Sequence, residues 1–229
     1  MKKRVVILIS GRGSNMSALI EAAGDPNYPV EIVGVISDNA DAMGLKSAAA
    51  QNIDTNAITK ADYLTKAALD EALDAELTRM NADIVCLAGY MRLLTPGFTE
   101  KWAGRNINIH PSLLPLFKGL DTHTRALESG MRVHGCTVHF VTAGMDDGPV
   151  IAQAAVPILP DDTEATLSAR VLTVEHQLYP LALRLVATGK ARMENGKAVL
   201  TGVSAEGSVL SPGSASDDID IESLARMTP

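Results

Sequence analysis

The run Val5-Val6-Ile7-Leu8-Ile9-Ser10-Gly11-Arg12-Gly13-Ser14-Asn15 decides how the rest of the chain is read. Its first five residues are all apolar and mostly β-branched. That is the pattern of a strand covered on both faces, as in a parallel sheet. The strand passes straight into a glycine turn and then into residues 16–23, which read as a helix closed by Gly24. A strand–turn–helix junction presents unpaired backbone N–H groups and the positive end of a helix dipole, which together form a ready anion site. Ser14 and Asn15 can cap the helix or add donors to the anion. The loop is not G-x-G-x-x-G, because the third glycine is missing, and no Lys-Ser/Thr pair makes it a Walker loop. A plain βα turn with an N-cap would look much the same. Its position after the first strand favours phosphate.

Outward from this stretch, residues 30–36, 53–58 and 84–88 read as strands and residues 42–51 and 60–80 as helices, the latter with an apolar stripe of Leu64, Leu69, Leu73 and Leu77. The alternation predicts an α/β fold: a doubly wound, mostly parallel central sheet with helices on both faces, Rossmann-like in its N-terminal half. Residues 106–110 alternate, so Asn106, Asn108 and His110 share one face and Ile107 and Ile109 the other. Pro111 ends that strand, because it has no N–H to donate. An amide and an imidazole therefore stand side by side at the carboxyl end of a strand, where open α/β sheets place ligands. A polar strand edge with a solvent-facing histidine is the plainer alternative. Met91, Leu93 and Leu94 follow another strand end, as core or as the wall of a pocket for a flat apolar group.

Asp121 or Thr122 heads a helix that Gly130 ends, residues 134–142 and 150–156 read as further strands, residues 163–187 as a long helix and residues 190–200 as a hairpin. His134 and His139 are five apart and fall on opposite faces of a regular strand, so they do not share a metal, and no metal is expected. Asp146-Asp147-Gly148-Pro149 is a turn sequence, in which Asx side chains ordinarily bond their own backbone.

The whole chain, 229 residues with 46% hydrophobic content, suits one domain over residues 1–200: residues 1–105 as a phosphate-binding half and residues 106–200 as a catalytic and folate-binding half. From residue 202 to 229 the composition turns to Ser, Gly, Ala and acid, an expected disordered tail. The net charge of −7 argues against a nucleic-acid surface but leaves room for a locally positive pocket. Cys86 and Cys136 form no disulfide framework or zinc motif, and the short apolar run after Lys2-Lys3-Arg4 is no leader or membrane span. The expected setting is the cytoplasm.

The ordered set Ser10-Gly11-Arg12-Gly13-Ser14-Asn15, Gly89-Tyr90-Met91-Arg92, Asn108-Ile109-His110-Pro111-Ser112, Gly135-Cys136-Thr137-Val138-His139 and Asp146-Asp147-Gly148-Pro149 resembles the phosphoribosylglycinamide formyltransferases, folate-dependent enzymes of purine biosynthesis. The resemblance implies that Asn108, His110 and Asp146 are the catalytic trio, that Gly13, Ser14 and Asn15 hold the ribose phosphate, and that Glu175 contacts the glycinamide. It assigns Met91, Arg92, Leu93 and Leu94, with Asn108, to the folate pocket, and Lys66 to a folate-contacting basic position that is often arginine. Lysine keeps the charge there but loses the bidentate fork. Asp147 stands where glycine is common, and Asp121 where histidine is frequent.

The implied reaction moves a formyl group from 10-formyltetrahydrofolate, a co-substrate, to the amine of glycinamide ribonucleotide, without a metal. The Asn108 amide and protonated His110 would face the developing oxyanion, with Asp146 paired to the imidazolium. The expected partners are these small molecules, with no nucleic acid and no membrane, and a homodimer is left open. A formyltetrahydrofolate deformylase, a methionyl-tRNA formyltransferase and a non-catalytic nucleotide-phosphate sensor are the competing readings.

Overall fold

The computed structural model describes residues 1–202, so the expected acidic tail lies outside the described residues except for Gly202. In chain order the elements are β1 (Lys3–Ile9), α1 (Ser14–Ala23), β2 (Val30–Ser37), α2 (Met43–Ala49), β3 (Thr55–Ala57), α3 (Lys66–Arg79), β4 (Ile84–Leu87), α4 (Pro96–Lys101), β5 (Asn106–His110), α5 (Thr122–Glu128), β6 (Val133–Phe140), β7 (Val150–Pro157), α6 (Glu164–Ala187), β8 (Ala191–Glu194) and β9 (Lys197–Leu200). A seven-stranded sheet has the order β3-β2-β1-β4-β5-β6-β7, and β8 and β9 form a separate hairpin. The strands from β3 to β5 are parallel, whereas β6 and β7 each run antiparallel to the strand before. The doubly wound reading therefore holds, with two antiparallel strands added at one edge.

The period of two along each strand divides the core into two layers. Val5, Ile7, Ile9, Cys86, Ile107, Ile109, Val138 and Phe140 pack with Met16 and Leu19 of α1 and Val171, Tyr179 and Leu183 of α6. Val6, Leu8, Val85 and Leu87 take the other face, against Leu69, Leu73 and Leu77 of α3 and Phe98 and Trp102 of α4. Tyr179 is wholly buried, and its hydroxyl lies 3.0 Å from the Leu87 carbonyl and 3.1 Å from that of Ile107. It has one proton to share between the two, and so ties α6 to the adjacent ends of β4 and β5.

Two local readings change. Residues 60–80 are not one helix: a 3-10 turn covers Lys60–Asp62, and α3 starts only at Lys66. Thr65 sets that start, its hydroxyl accepting the Ala68 N–H at 3.1 Å. Leu64 consequently leaves the apolar stripe and is fully exposed, while Leu69, Leu73 and Leu77 are buried. Helix α4 had no counterpart in the sequence reading, although Thr95 as N-cap and Pro96 in the first turn are its signal.

His134, at the start of β6, is wholly buried on the α6 side of the sheet, with its ring edge-on to His123 at 5.2 Å and to Phe117 at 6.1 Å. Burial, followed by the nearby His123, pushes its pKa down from 6.5 to about 4. Between those two values the unfolded chain binds a proton that the folded protein does not, so stability falls as pH drops through that window. The full effect is worth about 3 kcal/mol. Melting temperature measured from pH 7 down to pH 4 is therefore expected to fall less steeply in His134→Leu than in the parent. Parallel curves would remove His134 as the source of the acid limb.

Candidate active site

Strand order reverses between β1 and β4, and the loops leaving these two strands are tied together. Ser10 N–H donates to the Gly89 carbonyl at 3.1 Å, and Met91 N–H to Ser10 Oγ at 2.8 Å. A crevice of this kind, beyond the carboxyl ends of strands at a switch point, is where α/β sheets bind ligands. On its β1 side, Gly13 is the N-cap of α1 with φ at 75°, a left-handed conformation that glycine takes without strain. No side chain caps the helix, so the first-turn N–H groups are left to solvent or a ligand. Ser14 begins the helix. Asn15 does not cap it but donates from Nδ2 to Glu175 Oε2 at 2.7 Å, across 160 residues of sequence. Glu175 is 6% exposed. Burial pushes its pKa up, against the opposing hydrogen bond from Asn15. Residues 13–15 and Glu175, separate expectations in the sequence, thus belong to one place. Beside them Gly11, Arg12, Ala88, Gly89 and Leu172 complete a cavity of about 260 Å³.

The second part of the site is built by β5 and β6. Their register sets Asn108 opposite His139 and His110 opposite Thr137. His139 Nδ1 lies 2.9 Å from the Phe140 carbonyl, an acceptor only, so Nδ1 carries the proton. Nε2 is then free to accept, and Asn108 Nδ2 donates to it at 3.2 Å. Burial pushes the His139 pKa down, in opposition to Phe140 and Asp146, which keeps the ring in this neutral form. The sequence reading placed His139 only on a face opposite His134. That is correct, but it missed the residue that orients the Asn108 amide. The shared polarity of Thr137 and His139 was the available signal.

His110 is buried, with Nε2 3.0 Å from the Phe117 carbonyl and Nδ1 3.4 Å from Asp146 Oδ2. The carbonyl, an acceptor only, assigns Nε2 a proton, and Nδ1 faces the Asp146 carboxylate. A protonated ring satisfies both neighbours. Asp146 also lies 3.8 Å from His139 Nε2 through Oδ1, and accepts the Gly119 N–H at 2.9 Å through Oδ2. The plainer alternative, in which Asp146 and Asp147 serve only their own turn, does not hold, since both reach the loop after β5. Asp147 forms an ion pair with Lys118, which holds its carboxyl below the usual range. Gly148 permits this return of the chain, because a Cβ there would sit 1.6 Å from the Phe140 carbonyl oxygen. Asp121 holds the N-cap position of α5 at φ 56° but makes no capping hydrogen bond.

The remaining expected residues line the other end of the cleft. Leu93, Leu94 and Arg92 join Asn108, His139 and Asp146 around one cavity, and Met91, Arg92 and Leu93 join Lys66 and Tyr63 around the next. Met91 and Leu93 are exposed, so they are mouth rather than core. Arg92 is turned inward: Nη2 is 2.6 Å from the buried Asp70 Oδ1, at an angle short of an in-line hydrogen bond, and Nε donates to Tyr90 Oη at 3.0 Å. Lys66 is exposed at the first turn of α3. Among the described residues, no group of three or more His, Cys, Asp or Glu side chains is placed to hold a metal ion.

Chemically, this arrangement offers an oriented amide donor, an imidazole facing a carboxylate, and an anion site in the adjoining crevice. His139→Ala removes the acceptor that orients Asn108. A small misplacement of a reacting group can cost on the order of 100-fold in rate. A fall of that size in kcat, with KM for the phosphate-bearing substrate within about twofold of the parent, is the result expected from steady-state kinetics. An unchanged kcat would show that Asn108 does not need His139.

Comparison with known proteins agrees with this geometry. The formyl transferase family model matches residues 3–183. Phosphoribosylglycinamide formyltransferase of Escherichia coli is 44% identical over 198 residues, covering 86% of this chain and 93% of that protein. The trifunctional purine biosynthetic protein adenosine-3 of Homo sapiens is 49% identical over 197 residues and 86% of this chain, which spans only 20% of that longer relative. Among solved structures, the glycinamide ribonucleotide transformylase 1 of Symbiobacterium toebii superposes with a TM-score of 0.84 at 45% identity, covering 87% of this chain and 94% of its own. The phosphoribosylglycinamide formyltransferase of Brucella melitensis gives 0.80 at 56% identity, covering 82% and 97%. With the family matched over most of its length and a full-length relative above 40% identity, the chain belongs to the formyl transferase family, among the phosphoribosylglycinamide formyltransferases.

Proposed function

We propose that the chain transfers the formyl group of 10-formyltetrahydrofolate to the amine of glycinamide ribonucleotide, yielding formylglycinamide ribonucleotide and tetrahydrofolate in purine biosynthesis. The observation that carries this reading is that Asn108, His139 and Asp146 line one cleft, with His110 behind Asp146, while the uncapped α1 terminus lines a second cavity with Glu175 bonded to its Asn15. Residues 13–15 offer the ribose phosphate the donors of the helix terminus. Glu175, bonded to Asn15, would accept from the glycinamide. Lys66, Met91, Leu93 and Leu94 border the space for the folate, and Arg92 supports that wall through Asp70.

In the reaction, the amine nitrogen forms a bond to the formyl carbon, and the carbonyl oxygen becomes an oxyanion. Asn108 and the His110 Nδ1–H stabilise that charge. His110 then delivers its proton to the departing folate nitrogen as the carbon–nitrogen bond breaks. Asp146, or a water on it, takes the proton lost by the amine. Holding two substrates face to face supplies a further share of the acceleration.

The domain division is part of the proposal: one domain over residues 1–200, with the phosphate loop in residues 1–105 and the trio in residues 106–200. We place the reaction in the cytoplasm, since Cys86 and Cys136 are free and buried, which suits a reducing compartment. Light scattering at micromolar concentration would read out a homodimer.

Tetrahydrofolate release from 10-formyltetrahydrofolate, followed spectroscopically, is expected only when glycinamide ribonucleotide is present. Equal release without it would mean a deformylase. Asn108→Ala is expected to lower kcat by about 10²–10³-fold, the usual effect of losing one oxyanion donor. Asp146→Ala should also lower kcat far more than it weakens binding. Normal turnover in either variant would remove that residue from the mechanism.

A further inference from the structure

Asn106, the first residue of β5, is wholly buried, and neither its amide nitrogen nor its amide oxygen has a hydrogen-bond partner. Buried carboxamides are nearly always paired, because an unpaired one forfeits its water without replacement. The sheet settles which way this one points. Ile107 and Ile109 enter the layer under α1 and α6, so Asn106 shares the opposite face with Asn108 and His110. Its neighbours across the sheet are Val85 of β4 and Val141, whose N–H donates to the Asn106 carbonyl at 2.8 Å.

Val141, Leu87, Thr99 and Asn108 line the inner end of the cleft described above. Asn106 thus lies below that floor, two residues or roughly 6–7 Å along the strand from Asn108. The cleft encloses about 90 Å³. A cavity of about 150 Å³ holds one benzene molecule, so a bicyclic heterocycle fits wholly inside only if the walls part. Those walls include residues 142–146 and 92–94, which belong to no helix or strand.

We infer that Asn106 is a specificity residue that reads the pyrimidine edge of the folate pteridine once the cleft opens to admit it. The inference rests on the folate-dependent function proposed above. That edge carries an amino group and a ring N–H as donors beside a carbonyl acceptor. A carboxamide offers one acceptor and a two-proton donor in one plane, and so answers both. An apolar residue at this position would fill the space below the floor equally well but could not distinguish a pteridine from a bare aromatic bicycle, whereas a site built to hydrogen-bond rejects the analogue that lacks the group.

The test is steady-state kinetics of Asn106→Leu, which keeps the approximate volume and removes the polar atoms, with Asn106→Val as a second variant should the first fail to fold. KM for 10-formyltetrahydrofolate is expected to rise about tenfold, as for loss of one or two neutral hydrogen bonds, with KM for glycinamide ribonucleotide held within twofold. A folate analogue in which a plain benzene ring replaces the pyrimidine, so that the amino group, the ring N–H and the carbonyl are all lost, should bind the parent and the variant with closely similar Kd by calorimetry. Equal folate KM in parent and variant, or a penalty equally large for that analogue, would overturn the role of Asn106. If the parent itself releases no tetrahydrofolate with both substrates present, it is the proposed function that fails.

Discussion

The site depends on one pairing, the antiparallel ladder between β5 and β6 with Asn108 opposite His139. The pairings from β3 to β5 are parallel, whereas β6 returns antiparallel after the segment that carries α5. That return sets a second polar strand against the first. The chain leaving β6 then folds back over the same face, where Gly148 allows it to touch Phe140 and Asp146 to meet His110. Shifting the register by one residue would turn His139 into the α6 layer and leave the Asn108 amide unoriented.

That ladder gives the two histidines different duties. His139 is held neutral by burial and by the carbonyl of Phe140, and in that state it accepts the Asn108 amide proton. His110 has a carbonyl at one nitrogen and a carboxylate at the other, both of which a protonated ring satisfies. One ring is therefore fixed as an acceptor, while the other has an acceptor at each of its nitrogens. Similar side chains take separate roles because their backbone and carboxylate neighbours differ. Tyr179 supports β5 from below, by bridging the carbonyls of Leu87 and Ile107.

The switch point sets the distance between the two cavities. The uncapped terminus of α1 and the buried Glu175 lie on one side of the β1–β4 junction, and residues 91–94 with the β5–β6 ladder lie on the other. Ser10 holds the two loops together through Gly89 and Met91. An amine anchored through its phosphate and a formyl donor anchored through its ring would then meet over Asn108 and His110, which is the orientation that an unassisted encounter lacks.

By itself, the sequence determined the α/β class, the extent of most strands, the glycine loop, and the shared face of Asn108 and His110, which follow from local chemistry: period-two alternation, a β-branched run, a glycine turn after a strand, proline at a strand end. The family followed from the resemblance of its ordered motifs. Other features were out of its reach. The break in residues 60–80 depended on Thr65 winning as a cap over a longer periodic stripe. His139 as the orienting partner, Asn15 on Glu175, and Asp146 and Asp147 on the loop after β5 are contacts between segments 27 to 160 residues apart. Alternation tells which face a side chain takes but not which strand will stand beside it. That choice belongs to sheet order and register, which only the packed tertiary structure decides.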